Sequence, residues 1–211
     1  KKGMIVSEMS GFCDRENEYL ILDELDVVLC NSNGPHLSKE YEYVQLDKSQ
    51  STTLSPSFKH WTIQEIYEQA EASIKSVIID GRIDRFTGRV ILEGLDMNES
   101  VLRTIDNLIL VGCGTSLNVA LFAKRYFTTF NIVQVINASE FDRVDVPKMG
   151  KTAMILITQS GETRDTYNCL TLAKSIGVFT MGVVNVRNSL IAREVDCGCY
   201  TNVGKEHGVA S

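Results

Sequence analysis

The chain has 211 residues, 44% of them hydrophobic, and a net charge of −6, room for one medium domain or one domain plus a fragment of another. The acidic balance argues against a broad nucleic-acid surface, so phosphate recognition here has to be local. No apolar run reaches the roughly 18–20 residues that cross a bilayer, so neither nucleic acid nor a membrane is expected as a partner.

The opening Lys1–Val6 lacks the apolar stretch and cleavage pattern of a signal peptide. With no Met at position 1 it does not read as a natural N-terminus. Residues 1–47 read as β, with short β-prone runs at Gly3–Ser7, Glu18–Leu22, Asp26–Cys30 and Tyr41–Leu46. Asn31-Ser32-Asn33-Gly34-Pro35 between them has turn chemistry. Four short strands make a poor domain alone, so they are expected to be the edge of a larger sheet.

Residues 48–60, with Ser49, Ser51, Thr52, Thr53, Ser55, Pro56 and Ser57, form a polar linker. A helix starts near Thr62, where Ile63, Ile66, Tyr67 and Ala70 share one face, and residues 73–79 extend it toward Gly81. A further helix is expected around Ser100–Leu108.

From residue 107 the pattern is regular. Strands are expected at Leu108–Val111, Ile132–Ile136, Ala153–Ile157, Val178–Val184 and Cys199–Asn202. Helices are expected at Leu117–Phe130, Thr163–Ile176 and Leu190–Val195, with an irregular stretch from Glu140 to Pro147. Continuous apolar strands alternating with helices predict an α/β fold, a three-layer parallel sheet covered on both faces. Ligands in such sheets bind beyond the carboxyl ends of the strands.

Two strand ends carry the functional signal. Leu108–Val111 runs into Gly112-Cys113-Gly114-Thr115-Ser116, and Ala153–Ile157 into Thr158-Gln159-Ser160-Gly161-Glu162-Thr163. The first turn is not a dinucleotide fingerprint, because the third glycine would fall at Leu117, and no Gly-Lys-Ser/Thr makes it a phosphate loop of the NTPase type. Each turn alone reads equally as a tight turn or a helix cap. Together, at equivalent places, they suggest helix N-termini and hydroxyls arranged for a small phosphorylated ligand.

Other features have plainer readings. Asp142, Arg143, Asp145 and Lys148 read as a solvated loop, and His60 and Trp61 as packing or capping at a helix start. His207 reads as a surface or pocket-lining residue. Cys13, Cys30, Cys113, Cys169, Cys197 and Cys199 read as reduced thiols of a cytoplasmic protein. Cys197-x-Cys199 with His207 lacks a second ligand pair, so no metal is expected.

The motifs resemble the sugar isomerase (SIS) family and, within it, the glutamine–fructose-6-phosphate aminotransferases. The residues that carry this are Cys113-Gly114-Thr115-Ser116, then Gln159-Ser160-Gly161-Glu162-Thr163-x-Asp165-Thr166, then Gly208-Val209-Ala210-Ser211. Upstream, Glu65-Ile66-Tyr67-Glu68-Gln69 resembles the helix that opens the isomerase domain of these enzymes, and residues 1–47 the last strands of their glutaminase domain, Tyr19–Val28 best of all.

The resemblance implies an SIS sheet of flavodoxin-like, nucleotide-binding-type architecture over 61–211, the first of two SIS subdomains. It would follow a truncated glutaminase segment at 1–47 and a linker at 48–60. It implies an enzyme in which ammonia released from glutamine passes to a second site. There fructose 6-phosphate is opened, aminated and isomerised to glucosamine 6-phosphate, with no cofactor, in a homodimer whose subunits complete each other's site.

By position, Thr115 and Ser116 would line the sugar-phosphate pocket, Thr158, Gln159, Ser160 and Thr163 would hold the phosphate, and Val209 and Ser211 would line the sugar. The family usually has Ser where Thr158 stands. The family's catalytic lysine, glutamate and histidine are expected beyond Ser211, and the glutaminase cysteine before Lys1. This stretch alone is therefore expected to be inactive. The alternative is a non-enzymatic SIS module that senses a sugar phosphate. The hydroxyl-rich turns suit both readings, whereas the upstream β segment suits the enzyme.

Overall fold

The computed structural model describes residues 4–6, 18–23, 25–32, 34–45, 54–79, 81–84, 86–204 and 206–208. The chain divides into two compact units, Lys1–Ser55 and Pro56–Ser211.

The first unit holds two small antiparallel ladders. Strand β1 (Glu18–Tyr19) pairs with β4 (Val44–Gln45), and β2 (Val28–Asn31) with β3 (Gly34–Leu37). The turn expected across Asn31–Pro35 is present but shorter: the chain turns at Ser32, and the second strand starts at Gly34, directly opposite Asn31, and includes Pro35. A two-stranded ladder tolerates proline because one side of each strand needs no partner. The strand expected at Gly3–Ser7 is not formed at Met4–Val6, and its other residues lie outside the described ones.

In the second unit, α1 (Trp61–Ile74) runs into a wider π turn at Lys75–Ile79. No residue of α1 is fully buried. Two single-turn helices, α2 (Glu93–Asp96) and α3 (Glu99–Leu102), precede the sheet. The sheet is built from β5 (Asn107–Gly112), β6 (Ile132–Asn137), β7 (Thr152–Thr158), β8 (Phe179–Val184) and β9 (Cys197–Tyr200), all parallel, in the order β6-β5-β7-β8-β9. Its crossovers are α4 (Thr115–Ala123), α5 (Arg164–Ser175) and α6 (Leu190–Glu194).

All six residues of β5 are buried, as a central strand with both faces covered requires. Alternate residues feed two cores. Ile109, Val111, Met154 and Leu156 meet Cys169, Leu170 and Ala173 of α5 and Ile191 of α6. Leu108 and Ala153 meet Leu95, Leu102, Phe127 and Phe130. Each fully buried Leu, Ile or Met contributes about 1.5–3 kcal/mol through removal of apolar surface from water.

Two expected helices are redrawn. The one expected at Ser100–Leu108 stops at Leu102, because the chain must join the sheet at Asn107. There the backbone N–H groups of Asp106 and Asn107 donate to Lys151 O, and Asn107 Nδ2 donates to Met149 O at 2.8 Å. The one expected at Leu117–Phe130 starts earlier, at Thr115, and after Ala123 tightens into a 3-10 turn at Lys124–Tyr126. That tightening precedes Phe127 and Phe130, which belong to the core.

Candidate functional site

The strand order reverses direction between β5 and β7. From β5 the chain crosses through α4 to β6 on one side; from β7 it crosses through α5, β8 and α6 to β9 on the other. A crevice opens at the carboxyl ends of two such strands, because their following helices leave on opposite faces. Val111 stands opposite Leu156, so the two hydroxyl-rich turns leave the sheet side by side. Cys113 Sγ of the first turn lies 4.0 Å from Thr166 Oγ1 in the first turn of α5.

In the first turn Gly114 is the N-cap of α4, so no cap side chain closes the helix end. Ser116 N donates to Cys113 O at 3.1 Å and Leu117 N to Gly114 O at 3.1 Å. Thr115 is exposed and Ser116 half-buried.

The second turn is more tightly constructed. Thr158 ends β7, is 5% exposed, and its Oγ1 accepts a hydrogen bond from Gly161 N at 3.2 Å. The same oxygen lies 3.4 Å from Thr163 Oγ1. Ser160 Oγ accepts from Glu162 N at 3.2 Å. Thr163 is the N-cap of α5, yet its side chain makes no capping bond. A hydroxyl that accepts a backbone N–H still has its own proton to donate. Ser160 therefore retains a donor, and the Thr158–Thr163 pair retains at least one.

The segment after β8 holds this turn from behind. Gln159 O accepts from Asn185 N at 3.2 Å and Val186 N at 3.3 Å, and Gly161 O from Ile191 N at 3.1 Å. Gly161 has φ +70°, and a Cβ there would lie 1.9 Å from Ser189 Oγ. Only glycine permits both that backbone and that approach.

The structure thus brings together Thr115, Ser116, Thr158, Gln159, Ser160 and Thr163 at one sheet edge, on two adjoining turns. Val209 and Ser211 lie outside the described residues. Sequence reasoning missed two supporting side chains. Glu162 Oε1 accepts from Leu190 N at 2.8 Å. Asn185 Oδ1 accepts from Thr201 Oγ1 and Val203 N, both at 3.0 Å, and its Nδ2 donates to Gly204 O at 2.5 Å. A polar residue directly after a buried strand was the only local hint of Asn185.

Under the site, Cys169 Sγ donates to Ala138 O at 3.1 Å. Burial, reinforced by nearby Cys113 and Asp165, pushes this thiol up to about 12. Among the described residues Cys113, Cys169, Cys197 and Cys199 are free thiols, and no group of three His, Cys, Asp or Glu is placed to share a metal ion. No described helix is long and apolar enough to cross a membrane.

Comparison with known proteins settles the family. The SIS domain matches residues 101–211, more than half of the chain. The chain belongs to the SIS domain family. Over 217 aligned residues the SIS chain is 39% identical to a probable glutamine–fructose-6-phosphate aminotransferase (isomerizing) of Acanthamoeba polyphaga mimivirus, covering 100% of the chain and 35% of that relative. It is 30% identical to the human glutamine–fructose-6-phosphate aminotransferase (isomerizing) 2 over 97% of the chain and 31% of the relative. The chain therefore spans about a third of the length of the curated relatives it matches.

Among solved structures, the C-terminal domain of glucosamine-fructose-6-phosphate aminotransferase from Francisella tularensis superposes with a TM-score of 0.65 at 31% identity. The match covers 75% of this chain and 44% of that one. The five-stranded parallel sheet with its helices is the fold expected of an SIS domain.

Proposed function

We propose that this chain supplies the hexose-6-phosphate-binding turns of an enzyme that makes glucosamine 6-phosphate and glutamate from fructose 6-phosphate and glutamine. The observation that carries it is the pair of hydroxyl-rich turns standing side by side where the strand order reverses. A phosphate dianion placed there meets the N–H groups that open α4 and α5. The protons of Ser160 and of the Thr158–Thr163 pair add charge-assisted bonds. Thr115 and Ser116, on the first turn, take the sugar side, and the family resemblance alone adds Val209 and Ser211 to it.

Similarity to the aminotransferases runs along the whole chain, upstream β segment included, which favours the enzyme over a stand-alone sensor. On this reading residues 1–47 are the end of a glutaminase domain, 48–60 a linker and 61–211 the first SIS subdomain. Glutamine is handled by the glutaminase domain, and the bond-making lysine, glutamate and histidine belong to parts of the enzyme outside this stretch. The working enzyme is a cytoplasmic homodimer.

The test is calorimetric titration of fructose 6-phosphate into the enzyme carrying this chain, with glutamine-dependent glucosamine 6-phosphate formation as the second readout. Saturable binding that inorganic phosphate displaces supports the reading; no binding overturns it. The 211-residue stretch by itself is expected to show no turnover.

A further inference from the structure

The loop between β8 and α6 is tied in two directions, and Asn185 makes both ties. Its main-chain N–H and that of Val186 donate to Gln159 O at 3.2 and 3.3 Å, which anchors the second hydroxyl-rich turn. Its side chain reaches the other way, to the chain leaving β9. There Oδ1 accepts from Thr201 Oγ1 and Val203 N, both at 3.0 Å, and Nδ2 donates to Gly204 O at 2.5 Å. The amide is used at both ends, so its orientation is fixed. Turned over, it would set donor against donor at Val203 and acceptor against acceptor at Gly204.

Each tie has a physical consequence. Strand β9 ends at Tyr200, and beyond it Asn202 and Gly204 have φ of +54° and +91°. Left-handed residues break the path of a strand, so side-chain bonds rather than a ladder have to hold this segment. The Asn185 amide provides three of them. At the other tie, a trans peptide sends a C=O and the next N–H in opposite directions. With Gln159 O held by the loop, Ser160 N–H points away from it. No described residue accepts that N–H. A donor fixed in direction and without a protein acceptor suits an anion.

We infer that Asn185 is a positioning residue for phosphate binding. Its side chain anchors residue 185 to the Thr201–Gly204 segment, and its main chain fixes the Gln159–Ser160 peptide that presents a donor to the ligand. Asn185 does not touch the phosphate itself. The inference rests on the hexose-phosphate reading above. The residue type matters: aspartate would set an acceptor against Gly204 O, and leucine would leave Val203 N and Gly204 O without this partner.

The test uses the enzyme carrying this chain, with Asn185→Ala, Thr201→Val and the two combined. Asp196→Ala is the control. Asp196 Oδ2 accepts from Thr180 N at 2.8 Å and Thr180 Oγ1 at 2.7 Å, so it ties β8 to β9 at their other ends. The readouts are KM and kcat for fructose 6-phosphate, the inhibition constant of inorganic phosphate, hydrogen exchange at the Asn185 and Val186 amides, and urea unfolding. Asn185→Ala is expected to raise KM and the phosphate constant together by about 10-fold, the loss of roughly one charge-assisted bond, with kcat within about 2-fold. Exchange at both amides should speed up. Thr201→Val removes one bond to the amide and should show the same pattern at about 3-fold, adding little on top of Asn185→Ala. Asp196→Ala should lower stability and leave both constants at wild-type values. Unchanged KM and phosphate inhibition in Asn185→Ala overturn the inference; if that variant does not fold, Thr201→Val decides in the same way. Fully additive effects of the two changes overturn it as well, because the side chain would then not act through the segment. So does an equal loss of affinity in Asp196→Ala, which would mean general loosening. If the wild type itself takes neither fructose 6-phosphate nor phosphate, the functional reading has failed and this inference goes with it.

Discussion

Glu162 Oε1 accepts a hydrogen bond from Leu190 N at 2.8 Å, so a residue of the turn between β7 and α5 caps a helix 28 residues away. Ser189 is the N-cap of α6 but makes no capping bond; its Oγ donates to Val186 O at 2.8 Å. The carboxylate therefore does for α6 what its own N-cap does not, and a negative charge there also suits the helix dipole. Glu162→Ala is expected to lower stability by about 1 kcal/mol, measured by urea unfolding. Glu162→Gln, which keeps an acceptor but not the charge, should fall between the two. A variant as stable as wild type would show that the bond contributes nothing.

Gly161 joins the turn to α6 more rigidly still. A Cβ there would overlap Ser189 Oγ at 1.9 Å and Ser189 Cβ at 2.4 Å, and φ is +70°. Gly161→Ala therefore meets both backbone strain of about 1–2 kcal/mol and a steric overlap. Combining it with Ser189→Gly removes the overlap and leaves the strain. The double variant is thus expected to be more stable than the sum of the two single changes predicts, a coupling readable in a double-mutant cycle of unfolding free energies. Strict additivity would contradict the contact.

The three hydroxyls of the second turn should separate by variant. Ser160→Ala and Thr163→Ala are each expected to weaken hexose-phosphate binding by about 1–2 kcal/mol, measured by calorimetry, with small effects on stability. Thr158→Val removes the acceptor of Gly161 N and leaves that buried group unsatisfied, so it should destabilise the fold by about 1–3 kcal/mol as well. Thr158→Ser keeps the acceptor and should unfold near wild type. Equal unfolding of Thr158→Val and Thr158→Ser would remove the structural role given to this hydroxyl.

What could be read from sequence followed burial. Leu108–Val111 and Ala153–Ile157 are covered on both faces, so their composition alone marks them, and the hydroxyls directly after them mark the turns. Strand β3 was hidden because Asn33-Gly34-Pro35 has turn chemistry, and only pairing with β2 makes it a strand. The bonds from Glu162 to Leu190 and from Glu65 to Gly208 join residues 28 and 143 apart, and no local period encodes such contacts. Helix α4 was placed late because its start depends on how tightly Gly112–Gly114 turns, and its end on where Phe127 must meet the sheet.

Burial also gives the thiols a pH signature. It raises Cys169 to about 12 and Cys197 to about 11, with Asp165 and Cys113 adding to the first and Asp196 and Cys199 to the second. In the unfolded chain a thiol releases its proton near the ordinary value of 9.0. Between about 9 and 12, then, the folded state binds more protons than the unfolded one, and stability falls as pH rises. Below 9 both states keep the proton and the thiols add no slope. Cys169 is 2% exposed, so Cys169→Ala should be less stable than wild type at pH 7 through lost packing. It lacks the alkaline penalty, however, so the gap should narrow by pH 10.5, measured by urea unfolding at both values. A gap that is constant or wider at pH 10.5 would mean that Cys169 does not hold its proton in the fold.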